Sequence, residues 1–353
     1  MRIGFTFNSL PESDSRYKTD KYVEFDDISV ITAIKNVLES AGHEVILIEA
    51  DKNAYEKLKN SNLDFVYNIG ECLFGESRRC QIPSMLEMLG ISYTGSGVLT
   101  QAITLDKARA KELMSYYGIP TPKFQLFRAG DEPLNPNLNF PLFVKPNAEG
   151  SSKGITRKSL VKNENELRGR IKFIIDRYHQ PALVEEYIDG REFTVALLGN
   201  PPKVLPIVEV DFNNVPNNLP KFDCYEVKWF WDSPSNEVES VICPARIDKK
   251  IEDSIKKIAL YTFKVLGCVD ICRIDMRLDK NGIPNVLDVN VSPGLIPDPK
   301  ENSRFPKACY MAGMTYNEII LSVLEAAMKR YNITIPVKAV VKSPILPKKD
   351  HKE

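Results

Sequence analysis

The chain has 353 residues, 43% of them hydrophobic, which is enough apolar material for two or three domains with separate cores. Lysine plus arginine and aspartate plus glutamate each number 47, so the overall charge gives no reason to expect nucleic acid or an anionic membrane as a partner. The three histidines lie outside any motif, so we do not expect catalysis based on histidine.

The seven cysteines are an odd number without paired spacing, a pattern typical of free thiols in a reducing cytoplasm. Cys268 and Cys272 have the spacing of a metal-binding pair, but no other cysteine or histidine lies nearby, so we interpret them as buried thiols. There is no apolar run of about 18 residues, and the first ten residues lack the pattern of a signal peptide. We therefore predict a cytoplasmic protein without a membrane segment.

The first part of the chain predicts a parallel sheet. Strand-like apolar stretches alternate with helical patterns, in the order 2–7, 28–41, 43–48, 64–68 and 78–89. Such alternation is typical of βαβ units. Because no GxGxxG follows the first strand, a dinucleotide-binding function is excluded. We expect residues 11–27 to form a polar, mobile loop and the turn at 93–98 to close this first domain.

The next segment predicts a single helix from Leu99 to Tyr117, followed by a second group of strands and helices. Its elements are a strand at 140–146, a helix near 163–178 and strand-like residues at 182–199. Between the first two lies a glycine- and serine-rich loop at 149–154, with Lys145 just before it. Small residues let backbone N–H groups approach a phosphate, although the loop is neither a Walker A loop nor a Rossmann turn. A plain surface loop is the alternative.

A buried strand at Leu183 and Val184 runs into Glu185 and Glu186. Free backbone groups at the end of such a strand can bind the edge of an adenine base, and Glu192 can accept hydrogen bonds from ribose hydroxyls. Ordinary surface charge is the alternative for Glu185 and Glu186.

Residues 268–294 carry the most informative polar pattern. Asn281-Gly282 favours a hairpin with a two-residue type I′ turn, which pairs Asp275 with Asp288 and Arg273 with Asn290. Pro284 cannot donate to the ladder, so a loop longer than two residues, with the same residues on each face, is the alternative. Alternation along the strands then places these four polar side chains on one face. It directs the intervening apolar side chains into a core, namely Ile274, Met276, Leu287, Val289 and Val291. Two carboxylates and a carboxamide on one patch suit Mg²⁺ together with nucleotide phosphates, whereas a solvated polar face is the alternative.

Near the C-terminus, residues 250–266 form an amphipathic helix, and a last helix begins with the capping box Thr315-x-x-Glu318 and runs to about Arg330. The proline- and lysine-rich tail at 332–353 is predicted to be extended and to add nothing to a core.

Several motifs together resemble the D-alanine–D-alanine ligase family of ATP-grasp enzymes over residues 1–330. In chain order they are YTGSGV, LDKARAK, FVKPNAEGSSKG, LVEEYIDGREFTV, CPA, GCVDICRIDMRLD and LDVNVSPG. The resemblance implies an α/β fold of three domains, with the parallel sheet in the first and ATP between the other two. We place them at 1–98, 99–185 and 186–331. It also implies two Mg²⁺ ions, with Mn²⁺ as the alternative metal, small amino-acid substrates and a homodimer.

The resemblance assigns roles to residues at matching positions. Those implied to bind ATP are Lys107, Lys145, Glu149, Gly150, Ser151, Ser152, Glu185, Glu186, Ile188, Glu192, Lys228 and Leu287. The implied metal ligands are Asp275, Asp288 and Asn290, with Asp288 where the family has glutamate. Arg273, Ser151 and Lys228 are implied to be catalytic, Arg273 by steadying the oxygens of the acyl phosphate. Substrate contacts are implied for Arg273, Gly294 and Ser303, and we add Arg304.

The sequence departs from the family at the substrate positions. Ile69 stands where the family has histidine, Trp229 replaces a tyrosine that links two loops, and the family's first-substrate glutamate has no clear match among Glu24, Asp26 and Asp27. Arg304 either binds a second acidic group of the acceptor or points to solvent and pairs with Asp298 or Glu301.

Three functions therefore remain open. The first is an ATP-dependent ligase that forms D-alanyl-D-alanine or a close variant through an acyl phosphate. The second is an amino-acid or dipeptide ligase of other specificity. The third is an ATP-binding regulatory protein that has lost its acceptor site, which the presence of Arg273 argues against.

Overall fold

The polypeptide folds as three groups of elements, each built on its own β-sheet. The computed structural model describes residues 1–11, 20–72, 74–213, 215–216, 219–231, 240–301 and 303–334. The predicted tail lies almost wholly outside the described residues. None of the helices in the described ranges is long and apolar enough to cross a membrane.

The first group contains the predicted parallel sheet. Its elements are β1 (Arg2–Phe7), α1 (Ile28–Ser40), β2 (Glu44–Glu49), α2 (Ala54–Asn60), β3 (Phe65–Asn68), a 3₁₀ turn (Arg78–Cys80) and α3 (Gln81–Leu89). Strand β1 lies between β2 and β3 and is parallel to both. The apolar face of α1 packs onto the sheet through Ile31 and Ile34, both almost fully buried. The α/β prediction is confirmed here.

The loop predicted before α1 differs from expectation in its described part, residues 20–27. Val23 and Phe25 are buried, and the Glu24 carboxylate is held by two arginines at 2.6 and 2.7 Å. Apolar burial and charge pairing therefore hold this part in place, so it is not the mobile loop that its polarity predicts. Residues 12–19 of the same prediction lie outside the described residues.

The second group holds a four-stranded antiparallel sheet in the order β4-β7-β5-β6. Its elements are α4 (Val98–Leu105), α5 (Lys107–Tyr116), β4 (Phe124–Phe127), β5 (Leu142–Pro146), β6 (Leu160–Val161), α6 (Glu164–Tyr178) and β7 (Ala182–Glu186). The single helix predicted from Leu99 to Tyr117 is wrong. It breaks at Asp106, whose extended backbone and side-chain bond to the Arg109 N–H cap a new helix.

The third group holds an antiparallel sheet in the order β11-β10-β8-β12-β13, with β9 beside β8. Its elements are β8 (Glu192–Leu198), β9 (Lys203–Val204), β10 (Val208–Val210), a π-helical turn (Val227–Trp231), β11 (Val241–Ile242), α7 (Lys249–Val265), β12 (Ile271–Leu278), β13 (Pro284–Asn290), α8 (Arg304–Met311) and α9 (Tyr316–Arg330). The capping box at Thr315 and Glu318 is present, as predicted. Cys268 and Cys272 are buried free thiols in the core beneath this sheet, also as predicted.

The last helix, α9, holds the first group of elements against the third. Apolar residues of α9 share one core with α1 and β1. At its end, Arg330 bonds to the fully buried Asp270 at 2.8 Å, and Asp270 also accepts the Gly95 N–H at 2.8 Å. The turn that closes the first group is thereby fixed to the start of β12, the strand that carries Arg273 and Asp275.

Candidate active site

The hairpin of β12 and β13 pairs its polar residues as predicted, with Arg273 opposite Asn290 and Asp275 opposite Asp288. The two-residue turn is wrong, and the longer loop given as the alternative is present. The Asp279 N–H instead bonds to the Ile283 carbonyl across a three-residue loop, and of the two expected turn residues only Gly282 has a positive φ, +75°. A type I turn followed by a left-handed residue is the usual geometry of such loops.

A β-bulge compensates for the longer loop. The register shifts by one residue between Asp275 and Met276, so Val286, and not Leu287, lies opposite Met276. Val286 is fully buried in the core, whereas Leu287 lines the cleft above the sheet. The prediction that Leu287 points into the core is therefore wrong, and its assignment to the cleft agrees with the geometry.

Asp275 is the centre of the polar patch. It accepts hydrogen bonds from Arg273, from the Thr194 hydroxyl at 2.7 Å and from the Asn290 amide at 3.0 Å. Burial by itself raises the pKa of Asp275, but Arg273, Arg304 and these hydrogen bonds outweigh it and lower the pKa to about 2. Asp275 therefore remains a carboxylate at any physiological pH.

Lysines from the second group reach across to this hairpin. Lys107 Nζ lies 3.0 Å from the Asp288 carboxylate. Lys145 Nζ lies 2.8 Å from Glu185 and 3.5 Å from the Leu287 carbonyl oxygen. These cations face both walls of the space between the second and third sheets, where they can neutralise a polyanion.

The glycine- and serine-rich loop is held in a strained shape. Ser151 and Ser152 have φ values of +50° and +60°, which non-glycine residues seldom adopt. Ser152 donates to the Asp223 carbonyl oxygen at 3.0 Å, and Trp229 donates to the Ser151 carbonyl oxygen at 3.1 Å. The tryptophan at the family's tyrosine position thus still links the two loops.

Lys228 stands beside Trp229 on the π-helical turn and faces the same space. Burial lowers the pKa of Lys228 to about 8, and the positive charges of Arg304 and Arg273 add to that lowering while Asp223 opposes it. Part of the segment that carries Lys228, residues 232–239, lies outside the described residues.

Glu192 and the end of β7 form the far end of this space. Arg277 bonds to the Glu192 carboxylate at 2.9 Å and to the Ile188 carbonyl oxygen at 3.0 Å. Burial raises the pKa of Glu192, although Arg277 opposes that effect. The Glu186 carboxylate accepts hydrogen bonds from Asn139 and is half-buried, so its backbone is better placed than its side chain to contact a ligand.

All these groups line one cleft of about 120 Å³ between the second and third sheets, which we call the inner cleft. The structure brings together there every residue to which the resemblance assigns ATP or metal, namely Lys107, Lys145, Glu149, Gly150, Ser151, Ser152, Glu185, Glu186, Ile188, Glu192, Lys228, Asp275, Leu287, Asp288 and Asn290. Its lining thus combines lysines with the two hairpin aspartates, Asp275 and Asp288.

A second cavity of about 590 Å³, which we call the outer cavity, lies between residues 23–30 and residues 292–304. The predicted substrate residues Gly294, Ser303 and Arg304 line it. Among the described residues, four line both spaces, namely Ser151, Lys228, Arg273 and Asn290. The two spaces therefore meet at the three residues predicted to be catalytic and at Asn290, a predicted metal ligand.

Of the two settings predicted for Arg304, the solvent-exposed one is wrong. It does not point to solvent, because it is 5% exposed, and its ion-pair partner is Asp223 at 2.9 Å, and not Asp298 or Glu301. Asp223 lines the inner cleft while Arg304 lines the outer cavity. The pair thus forms part of the wall between the two spaces.

A second part of that wall was not predicted from the sequence. Arg78 and Arg79 are buried, and each bonds to Glu24. Arg79 also bonds to Glu71, and Arg78 bonds to Glu149 and to the Ala148 carbonyl oxygen at 2.7 Å. The sequence feature that could have indicated these contacts is the pair of adjacent arginines in a turn (ESRRCQ). Exposure to solvent alone does not explain two arginines at this place.

Comparison with known proteins agrees with this architecture. Residues 113–325 match the family described as D-ala D-ala ligase C-terminus. The chain is 33% identical to a D-alanine–D-alanine ligase of Pelotomaculum thermopropionicum, over 85% of this chain and 92% of that protein. It is 36% identical to the uncharacterised protein y4sG of Sinorhizobium fredii, over 86% of this chain and 88% of that one.

Among solved structures, the D-alanine–D-alanine ligase of Bacillus anthracis in complex with ATP superposes with a TM-score of 0.71 and 25% identity, covering 94% of this chain and 99% of that chain. The fold and the two adjoining spaces define an ATP-grasp protein, as the motifs predict. The chain belongs to the D-alanine–D-alanine ligase family.

Proposed function

We propose that the protein is an ATP-dependent carboxylate–amine ligase that forms D-alanyl-D-alanine or a close variant. The observation that carries this proposal is the junction of the inner cleft and the outer cavity at Ser151, Lys228, Arg273 and Asn290. A phosphoryl donor in the cleft and a carboxylate in the cavity would meet there. A protein that only binds ATP has no need of this junction.

In the first step, an oxygen of the donor carboxylate attacks the γ-phosphorus of ATP, and ADP leaves with the electrons of the broken bond. Such a reaction depends on positioning and charge neutralisation. Lys107, Lys145 and Lys228 would contact the phosphates, and the backbone N–H groups of the loop at 149–154 would cover them. The product is an acyl phosphate, a better acylating agent than the carboxylate.

In the second step, the acceptor amine attacks the acyl carbon, inorganic phosphate leaves, and the nitrogen loses a proton. Arg273 would stabilise the oxyanion of the tetrahedral intermediate, since its guanidinium lines both spaces. Trp229 holds the serine loop against the segment that carries Lys228, which would keep water from the acyl phosphate.

The hairpin suits Mg²⁺. The described residues contain no group of three His, Cys, Asp or Glu side chains that could hold a metal, but Mg²⁺ commonly takes one or two carboxylates together with nucleotide phosphates. Asp275 and Asp288 would supply the carboxylates and Asn290 an amide oxygen. The ions would neutralise charge on the transferring phosphoryl group.

ADP release tests the proposal directly. We expect the purified protein with ATP, Mg²⁺ and D-alanine to release ADP and phosphate in equal amounts and to give a product of the mass of D-alanyl-D-alanine. ATP binding without ADP release for any pair in a panel of D- and L-amino acids would favour the regulatory function instead.

A second candidate is a ligase of other specificity, favoured by the outer cavity. Glu24 is already engaged by Arg78 and Arg79, and the cavity, at about 590 Å³, exceeds the volume of the inner cleft. Release of ADP with other amino acids or dipeptides, but not with D-alanine alone, would select this candidate.

We further propose a cytoplasmic location, a homodimer and the domain division 1–98, 99–185 and 186–331. Three separate sheets support three domains, and because β7 runs to Glu186 the second sheet extends one residue past the boundary at 185. Light scattering would test the dimer, and limited proteolysis the boundaries.

A further inference from the structure

The last residue of the serine loop at 149–154, Gly154, is held by side chains that the proposed reaction does not use. Its N–H donates to a carboxylate oxygen of Asp20 at 3.1 Å, and its carbonyl oxygen accepts from the Arg170 guanidinium at 2.6 Å. The Tyr178 hydroxyl donates to the same oxygen of Asp20. Both backbone hydrogen-bonding groups of this loop residue are therefore fixed by side chains from other segments.

These contacts join the first group of elements to the second. Arg170 and Tyr178 lie on α6 of the second group, to which the serine loop also belongs, whereas Asp20 lies in the segment before α1 of the first group. Burial raises the pKa of Tyr178, and the hydrogen bond to Asp20 adds to that effect. The hydroxyl therefore keeps its proton and remains a donor at any physiological pH.

The first group also contacts the serine loop at its start. Arg78 donates to the carbonyl oxygen of Ala148, directly before the loop, at 2.7 Å. Asp20 and Arg78 thus fix the two ends of the loop, while the third group bonds to its middle. Because both ends depend on the first group, the loop keeps this shape only while that group is docked.

Asp20 is linked in turn to the wall of the outer cavity. The Phe25 N–H donates to the Tyr22 carbonyl oxygen at 3.0 Å, and the centres of the two rings lie 5.2 Å apart. This turn connects Asp20 to residues 23–27, which line the cavity. A substrate that contacts residues 23–27 therefore acts on the segment that fixes the end of the serine loop.

We propose that Asp20 and Tyr178 are positioning residues that hold the serine loop closed over the phosphates and so keep water from the acyl phosphate. We call the hydrogen bonds of Asp20 to Gly154 and Tyr178 the latch. Neither Asp20 nor Tyr178 lines the inner cleft, so both act through the loop and not on the reacting atoms. The latch is a property of the fold, whereas its effect on turnover rests on the proposed ligase reaction.

An open latch wastes ATP. Water that reaches the acyl phosphate forms a bond from its oxygen to the acyl carbon, and the bond from that carbon to the phosphate oxygen breaks. One proton of the water passes to phosphate and the other to solvent, so the carboxylate is regenerated without a peptide. Closed loops prevent this side reaction by excluding water.

Trypsin measures the opening of the latch without any substrate. It cleaves after lysine, and Lys153 directly precedes Gly154, so cleavage between them requires the loop to leave its bound shape. We expect Tyr178→Phe and Asp20→Ala to accelerate this cleavage in the full-length protein about tenfold or more, as loss of a hydrogen bond to a charged group implies. Tyr116→Phe, at an 83% exposed tyrosine on α5, is the control and should match the parent.

A double variant shows whether the two changes act through one carboxylate. Because Tyr178 and Gly154 bond to the same oxygen of Asp20, Tyr178→Phe should add nothing to the acceleration seen in Asp20→Ala. Accelerations that multiply overturn the latch, as does unchanged cleavage in the folded single variants. If Asp20→Ala does not fold, Asp20→Asn replaces it, because asparagine keeps an oxygen for the Gly154 N–H. It should accelerate cleavage in the same direction, and no acceleration overturns the latch.

The ratio of ADP to peptide tests the consequence for turnover. We expect the parent to form ADP and peptide in equal amounts and Tyr178→Phe to release about two or more ADP for each peptide, with KM for ATP within about threefold. Faster cleavage with an unchanged ratio overturns the role in excluding water. A parent that makes no peptide contradicts the proposed ligase reaction, and the cleavage rates then still decide whether the latch exists.

Discussion

The inner cleft and the outer cavity differ in how they are built. The walls of the cleft come from adjacent strands and from loops next to them, so that short sequence motifs carry most of its residues. The cavity is enclosed by residues 23–30, the turn that carries Arg79 and the segment at 292–304, which are far apart in the chain. A cleft of this kind can be recognised in the sequence, whereas the cavity depends on how the first group docks.

The difference has a functional consequence. Changes in the cleft should act on nucleotide affinity and phosphoryl transfer, and changes confined to the cavity should act on the amino-acid substrates. Residues at the junction should affect turnover itself. The following variants test this division.

The largest effect is expected for Asp275→Asn. Loss of the central carboxylate would remove a proposed metal ligand. Several kcal/mol of lost charge stabilisation correspond to about a thousandfold or more in turnover. ADP release measures the effect, and Asp253→Asn on the exposed face of α7 is the matched control. Turnover near that of the parent in a folded Asp275→Asn protein would remove the metal site from the hairpin.

Arg273→Ala tests the junction. Loss of the oxyanion donor proposed for Arg273 should lower kcat about a hundredfold, while KM for ATP changes by no more than a few-fold. Steady-state kinetics with each substrate varied gives both quantities. If the affinity for ATP falls as much as kcat does, Arg273 acts mainly by holding Asp275, to which it bonds.

Arg304→Leu tests the wall between the two spaces. It leaves the carboxylate of Asp223 without its ion-pair partner, and breaking a buried pair in this way costs about 3–5 kcal/mol of unfolding free energy. Urea unfolding measures the cost. In the double variant we expect Asp223→Asn to remove most of the unfolding free energy lost in Arg304→Leu. If the losses of the two single variants simply add, Arg304 and Asp223 are not coupled.

Gly150→Ala tests whether the serine loop needs its close approach to the first group. A Cβ at this position would lie 2.5 Å from Glu24 Oε1 and 2.9 Å from Arg79, so either the loop or the arginine pair must shift. Overpacking of this kind costs about 1–3 kcal/mol. Gly169→Ala, on the exposed face of α6 with open space around it, is the control and should stabilise the protein by about 0.5–1 kcal/mol. Equal melting temperatures for the two variants would contradict this account.

The smallest effect at neutral pH concerns Lys228. With a pKa of about 8, it is charged below that pH and loses its charge as the pH rises through it. kcat/KM for ATP should therefore fall on the alkaline side of about pH 8 by up to tenfold per unit, because the free enzyme loses a cation that attracts phosphate. Lys228→Arg should remove that decline, and its persistence would assign the decline to another group such as Lys111, whose pKa burial lowers to about 8.

The outcome at β12 and β13 illustrates what local pattern can determine. Alternation with period two placed Arg273, Asp275, Asp288 and Asn290 on one face and paired them correctly, because cross-strand register depends on short-range geometry. The turn type was wrong and a bulge was missed, yet each shifts the register by one residue and they offset one another. Leu287 and Val286 exchanged faces as a result.

The amino-acid sequence by itself indicated the family, many of the strands and helices, and the predicted ATP and metal residues that line the inner cleft, since strands, caps and glycine-rich loops are encoded over a few neighbouring positions. Tertiary structure alone decided how charges were paired. Arg304 pairs with Asp223, Glu24 pairs with Arg78 and Arg79, and Lys111 pairs with Glu185. A buried ion needs a counter-ion, and the fold brings that partner from a distant segment. Only three-dimensional proximity selects among the many carboxylates of the chain.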